Sequence, residues 1–235
     1  MRRSFYSEAV GRSMIRCALV LGVLAGGMAL ADPPKFSQGG FLFSVSYGPG
    51  FWTFDRTLLA SQMKAPATAA DADVFIADAV TSHTVSLRAG YNILGHASLG
   101  ADFTATGWDI TTPQRGGAGM LTGYVAWHPL ELVWMKKETR PIGLDVSTMF
   151  GVGYGICGEN RGMDGLVLQW GLNADYFFAR YFGAGLFAKG TFLQWDKFYL
   201  DYNNRDLPGN TIAITKGSGG SFWTLGVALT FRAGD

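Results

Sequence analysis

Residues of one kind recur at every second position along most of this chain. Phe41, Phe43, Val45 and Tyr47 alternate with Leu42, Ser44, Ser46 and Gly48. Val85, Leu87, Ala89 and Tyr91 alternate with Ser86, Arg88, Gly90 and Asn92. The same beat runs through 99–106, 121–128, 144–154, 166–176, 182–192 and 223–231. A period of two is the spacing of a strand with two unlike faces. The pattern therefore predicts eight strands of about ten residues each, the first running on through Trp52 and Phe54. The connections alternate in length. Stretches 56–79, 111–119, 157–165 and 196–221 are the longer loops of one end; 93–96 and 177–180 are tight turns of the other, where 128–141 is a longer link. Long and short ends alternating around eight antiparallel strands predict an all-β, eight-stranded, up-and-down transmembrane β-barrel.

The two faces say which way the barrel is turned. One face holds Phe, Leu, Val and Ala and has no charge in any strand. The other is Gly, Ser, Thr and Asn with a few charges: Arg88, Asp102, Asp145, Asp175 and Lys189. A water-soluble barrel would need many Lys and Glu on its outer wall. A lipid-facing wall tolerates none near the midplane, where an Arg or Lys costs about 2–4 kcal/mol. Closure is compulsory in lipid, because an open sheet edge leaves backbone groups unpaired. The apolar face is therefore expected outward and the polar face inward. Aromatic residues support this with two belts. Tyr91, Trp127, Tyr176, Phe182 and Phe231 fall at the short-turn end, and Trp52, Trp195 and Trp223 at the long-loop end. Phe54, Trp108, Tyr154 and Phe222 join the second belt, and Phe177 the first.

Composition sharpens the picture at three points. Of 235 residues, 16% are charged and 33 are Gly, against about 25% and 7% in ordinary soluble domains. A net charge of +1 with no basic run argues against a nucleic-acid partner. Two cysteines exclude a disulfide scaffold. The first residues read as an address. Arg2, Arg3, Arg12 and Arg16 precede the uncharged run CALVLGVLAGGMALA, which ends Ala29-Leu30-Ala31. A basic start, a short apolar core and an A-x-A site make a secretory signal peptide at 1–31. The run is too short for a spanning helix of about 20 residues. A short periplasmic segment, 32–37, and a barrel domain, 38–235, follow. These features place the chain in the outer membrane of a Gram-negative-type bacterium.

The chain resembles the small eight-stranded outer-membrane barrels of the OmpA-barrel, OmpX and OmpW type. The likeness covers 38–232 and rests on strand pattern rather than on a signature motif. The last strand, Trp223 to Phe231, is similar to the assembly signal of such proteins, but four residues follow its final Phe. The resemblance implies recognition by the barrel-assembly machinery and contact with outer-membrane lipid and lipopolysaccharide.

Candidate chemistry lies mostly in the lumen. Arg88 and Asp102 stand opposite each other if the turn between them centres on Gly95, and Asp145 and Asp175 sit near the short-turn ends with Arg232 close by. An eight-stranded barrel is just wide enough for side chains to fill it. The lumen charges are thus expected to form a neutralising plug. The leading function is non-enzymatic: envelope structure, and outer loops presented to an unknown surface ligand by a monomer. The alternative is a narrow OmpW-like channel for small or hydrophobic solutes, lined by Met149, Phe187, Val167 and Leu193, with Pro49-Gly50 as the one visible break in the wall. The third is an outer-leaflet lipid enzyme, for which His96-x-Ser98 or His83 with Ser82 and Ser86 would supply base and nucleophile. No cofactor is expected. No His or Cys cluster has metal-ligand spacing, though Asp71, Asp73 and Asp78 form an acidic stretch in the first loop. Cys157 is expected in an outer loop.

Overall fold

In the computed structural model the described residues are 40–54, 79–93, 95–109, 115–134, 143–158, 162–179 and 181–233. Eight antiparallel strands form one closed barrel in sequence order. They are β1 (Gly40–Phe54), β2 (Ala79–Asn92), β3 (Ala97–Asp109), β4 (Arg115–Trp127), β5 (Leu144–Gly158), β6 (Gly162–Phe177), β7 (Phe182–Tyr199) and β8 (Thr211–Ala233). β8 returns to pair with β1, from Phe41↔Ala233 to Phe54↔Gly220. Helix α1 (Pro129–Trp134) stands in the link between β4 and β5, which the alternation left as plain connection. Pro129 suits its first position, because a first-turn residue needs no N–H donor there.

The faces divide by parity. Leu186 and Val125 are 67% and 62% exposed on the outer wall, while Asp102 and Lys189 are 0% and 3% exposed inside. An apolar wall around a polar interior inverts the usual soluble arrangement. It is the pattern of a barrel whose solvent is hydrocarbon.

Strands are longer than ten residues, from 13 in β3 and β4 to 23 in β8. The stretch 196–221, read from sequence as a loop, is largely the continuation of β7 and β8. Phe198 pairs with Ile212 and Tyr199 with Thr211 beyond an irregularity after Trp195. Past that irregularity the strict alternation is lost, and the consecutive Phe198 and Tyr199 are both buried, as is Ile212. The hairpin tip is a short 3-10 turn, Tyr202–Asn204, capped by Asp201. Asn204 Nδ2 and the Asn203 N–H donate to Asp201 at 2.7 and 3.0 Å and hold its carboxyl below the usual carboxylate range. Loop 56–79, with Asp71, Asp73 and Asp78, lies outside the described residues apart from its last position.

At the opposite end, β2 turns into β3 through Gly95, whose φ of +78° favours glycine. Glycine is also required across the β1–β8 seam. A Cβ on Gly48 would collide with the carbonyl oxygen of Leu225, and one on Gly226 with that of Tyr47. Backbone cannot yield as a flexible side chain can. Gly48→Val is therefore expected to cut the heat-modifiable, folded fraction on a gel severalfold, whereas Gly107→Val, where a Cβ meets nothing within 4 Å, should leave it near wild type.

The belts need one correction. Tyr91, Trp127, Tyr176 and Phe182 are exposed on the outer wall at the short-turn end, and Phe231 packs against Phe182 with centroids 5.1 Å apart. Trp223 is likewise outward, edge-on to Trp170 at 5.4 Å. Trp52 and Trp195, however, are each 1% exposed and point into the lumen. Phe222 and Phe177 also point inward. The reason is parity. In β1 the outward positions are Phe41, Phe43, Val45 and Phe51, so Trp52 must face in. In β7, Trp195 continues the inward row Phe187, Lys189, Thr191 and Leu193. Height along a strand places a residue near a belt, but parity decides which side of the wall it occupies. The side chains of Phe54 and Trp108 lie outside the description.

Candidate functional site: the storeys of the lumen

The inward row of each strand builds the lumen in three storeys. The middle storey centres on Asp102. Arg88 and Asp102 are register partners between β2 and β3. Arg88 Nε donates to Asp102 Oδ2 at 3.3 Å, and the guanidinium lies 5.3 Å from the centroid of the Tyr124 ring. From β7, across the lumen, Lys189 Nζ donates to Asp102 Oδ1 at 3.0 Å. The same ammonium donates to Ser86 Oγ and Thr104 Oγ1, each at 2.7 Å. An ammonium has three donors, and here all three are used. Thr104 Oγ1 donates to Asp102 Oδ1 at 2.8 Å, so Asp102 sits under three donor side chains. Thr122 donates to Gln169 Oε1 at 3.0 Å, a further bridge from β4 to β6. Two cations and one carboxylate thus interlock strands β2, β3 and β7.

The storey at the short-turn end is a second, separate cluster. Asp145 and Asp175 are register partners of β5 and β6. Arg232, the next-to-last residue of β8, donates to Asp145 Oδ2 at 3.4 Å and to the Gly95 carbonyl at 3.3 Å, and lies 3.8 Å from Glu131 of α1. His128 Nδ1 lies 2.9 Å from Asp145 Oδ2, and His128 Nε2 lies 3.1 Å from Ser98 Oγ. Alternation predicts one lumen network of Arg88, Asp102, Asp145, Asp175 and Lys189. In the structure its members fall in two groups: Asp145 and Asp175 stand near the rim with Arg232, where their place in the strands puts them, while Lys189 reaches Asp102 deeper in.

Sequence reading missed the parts played by His128 and Glu131. The signal for His128 was available, since it continues the inward parity of Thr122, Tyr124 and Ala126. The histidine that Ser98 bonds is His128, from the next strand. The other considered pair separates. His83 faces outward, 2.8 Å from Tyr47 Oη and stacked on that ring, while Ser82 and Ser86 face inward.

The storey at the long-loop end is apolar. Trp52, Met120, Met163, Val167, Leu193, Trp195, Phe198, Ile212 and Phe222 form one buried cluster. Trp52 stacks on Phe222 with centroids 4.3 Å apart and planes at 22°. Cys157, expected in a loop, is an inward residue of β5 within this cluster. Val167 and Leu193, expected to line an apolar route, also belong to it, whereas Met149 packs with Tyr124 and Ala126 nearer the short-turn end. Among the described residues no group of three or more His, Cys, Asp or Glu could hold a metal ion.

No protein-family model matches the chain, and no curated protein sequence matches it. Solved structures do. Neisserial surface protein A aligns with a TM-score of 0.55 at 7% identity, over 84% of this chain and 100% of its own. Outer membrane protein OprG from Pseudomonas aeruginosa gives 0.48 at 9% identity, over 87% and 100%. Ail, the attachment invasion locus protein of Yersinia pestis, gives 0.43 at 10%, over 84% and 100%. The first of these shows a shared fold. The chain is a closed eight-stranded antiparallel barrel of the small outer-membrane type.

Proposed function

We propose that this protein is an outer-membrane barrel whose lumen is sealed by its own side chains, and that it serves the envelope as a rigid element presenting its long-loop end to the outside. The observation that carries this reading is the stacking of three filled storeys. A charged cluster with every ammonium donor satisfied bridges the middle of the lumen, and an apolar cluster above it disfavours water. The short-turn end faces the periplasm, as short turns do in such barrels. The partners are outer-membrane lipid and lipopolysaccharide along the wall, the assembly machinery during folding, and a surface ligand at the β7–β8 tip and its neighbouring loops. The refolded monomer in a planar bilayer is expected to be electrically silent while showing the gel mobility shift of a folded barrel.

A second reading has one specific observation in its favour. The β1–β8 pairing is interrupted between Tyr47↔Val227 and Gly50↔Thr224, at Pro49, which has no N–H to donate. This interruption lies below the apolar storey. A narrow path for small apolar solutes could leave sideways into lipid there only if the close contacts of Gly48 with Leu225 and of Gly226 with Tyr47 part, and such a path would make the protein a channel. Uptake of an apolar dye into vesicles without ionic current would favour it over the sealed barrel.

A further inference from the structure

Ser98, His128 and Asp145 come from the ends of β3, β4 and β5 and stand in a hydrogen-bonded row: 3.1 Å from Ser98 Oγ to His128 Nε2, and 2.9 Å from His128 Nδ1 to Asp145 Oδ2. A carboxylate accepts hydrogen bonds and donates none. It therefore fixes the proton of a neutral imidazole on Nδ1 and leaves the Nε2 lone pair aimed at the serine hydroxyl. Arg232 donates to the same carboxylate oxygen. A nucleophile in reach of a base that is oriented by a third group is the arrangement of acyl transfer by serine. We propose that Ser98 is an activated nucleophile toward short-chain acyl esters entering from the short-turn mouth, a property beyond the structural role above.

Position sets the substrate class. Ser98 is the second residue of β3, next to the rim turn, where the His128 N–H donates to the His96 carbonyl at 2.8 Å. The register partners of Ser98 are Asn92 on β2 and Ala126 on β4, and Ala126 belongs to a small apolar cluster with Tyr124 and Met149. The large apolar cluster lies at the opposite end of the barrel, so the small one beside Ser98 suits a short acyl group rather than a long chain. Ser98 is 3% exposed, and Arg232 ties the mouth together through Asp145 and the Gly95 carbonyl. Entry therefore requires that latch to swing aside. In the reaction the Ser98 hydroxyl proton passes to His128 Nε2 as Oγ bonds the acyl carbon. The ester C–O bond breaks and the alcohol leaves with that proton. Water, deprotonated by His128, then releases the carboxylic acid and restores Ser98. Asp145 acts as a positioning residue.

The test uses a fluorophosphonate probe and p-nitrophenyl acetate on the full barrel refolded in detergent, with gel mobility confirming the fold. Mass spectrometry is expected to find the phosphonyl group on Ser98. Ser98→Ala should abolish labelling and lower ester hydrolysis at least tenfold, and His128→Asn should slow labelling roughly a hundredfold, the low end of a general base's contribution. If His128→Asn fails to fold, site mapping on the wild type and Ser98→Ala decides alone. A folded wild type that takes no label, a label on another residue, or equal hydrolysis by Ser98→Ala overturns the proposal. None of these results bears on whether the lumen conducts.

Discussion

Asp102→Lys should leave almost no folded barrel, and pairing it with Arg88→Asp should recover only part of the loss. Among the described residues Asp102 is the one carboxylate in contact with both Arg88 and Lys189, at 3.3 and 3.0 Å, with all three side chains largely shut away from water. Removing one partner of a buried pair typically costs about 3–5 kcal/mol, since it strands an uncompensated charge. Reversal is worse, because it sets a third cation against two. A simple Arg88–Asp102 pair, as the strand register alone implies, would be largely restored by exchanging the two charges. Lys189 changes that expectation. After the exchange it still points at position 102, now against a cation, and loses its strongest acceptor. Full recovery should need Lys189→Glu as well. The three variants are compared by the urea midpoint of the gel mobility shift in one detergent. The expected order is single reversal lowest, double intermediate and triple highest. Equal midpoints for double and triple variants would show that Lys189 does not depend on Asp102. Replacing all three residues by Met should be close to neutral, as apolar replacement of a buried ionic cluster often is.

That Lys189 was absent from the expected pair marks the boundary of what sequence could supply. Period two gives parity, and parity gives the wall: which of Phe43 and Ser44 meets lipid follows from alternation alone. Short turns give register between neighbours, so Gly95 was enough to set Arg88 against Asp102. Contacts across the lumen depend on stagger around the whole barrel, to which every turn and irregularity contributes. The Lys189–Asp102 contact joins β7 to β3 and has no local signature. Trp52 and Trp195 failed for a different reason. Their parity was legible, but they were assigned by height along the strand. His128 failed likewise: its inward parity was plain, yet it was read as part of a link. The interruption at Pro49 was visible in sequence, because a residue without an N–H must weaken one ladder.

The stacking of storeys leads to the largest expected functional change. Seals in series fail only together. Opening the charged storey with Arg88→Ser, Asp102→Ser and Lys189→Ser should leave the barrel silent, because Trp52, Phe222 and Trp195 still close the long-loop end. Opening the apolar storey with Trp52→Ala and Trp195→Ala should also leave it silent to ions, because Lys189, Asp102 and Arg88 still bridge the lumen below. The variant that combines these five substitutions with Arg232→Ser, which unties the short-turn storey, should show discrete conductance steps. Each Trp→Ala change costs about 3–5 kcal/mol, so the folded fraction is measured first and conductance is scored on folded protein only. Widening the apolar storey leaves an apolar-lined space that can stay dry, which is a second reason for the tryptophan pair alone to stay silent. Steps from the three-serine variant alone would make the charged storey the whole seal and the aromatic residues above it a lining. Steps from the tryptophan pair alone would reverse the assignment and leave the ion pairs as a structural clamp within an open pore.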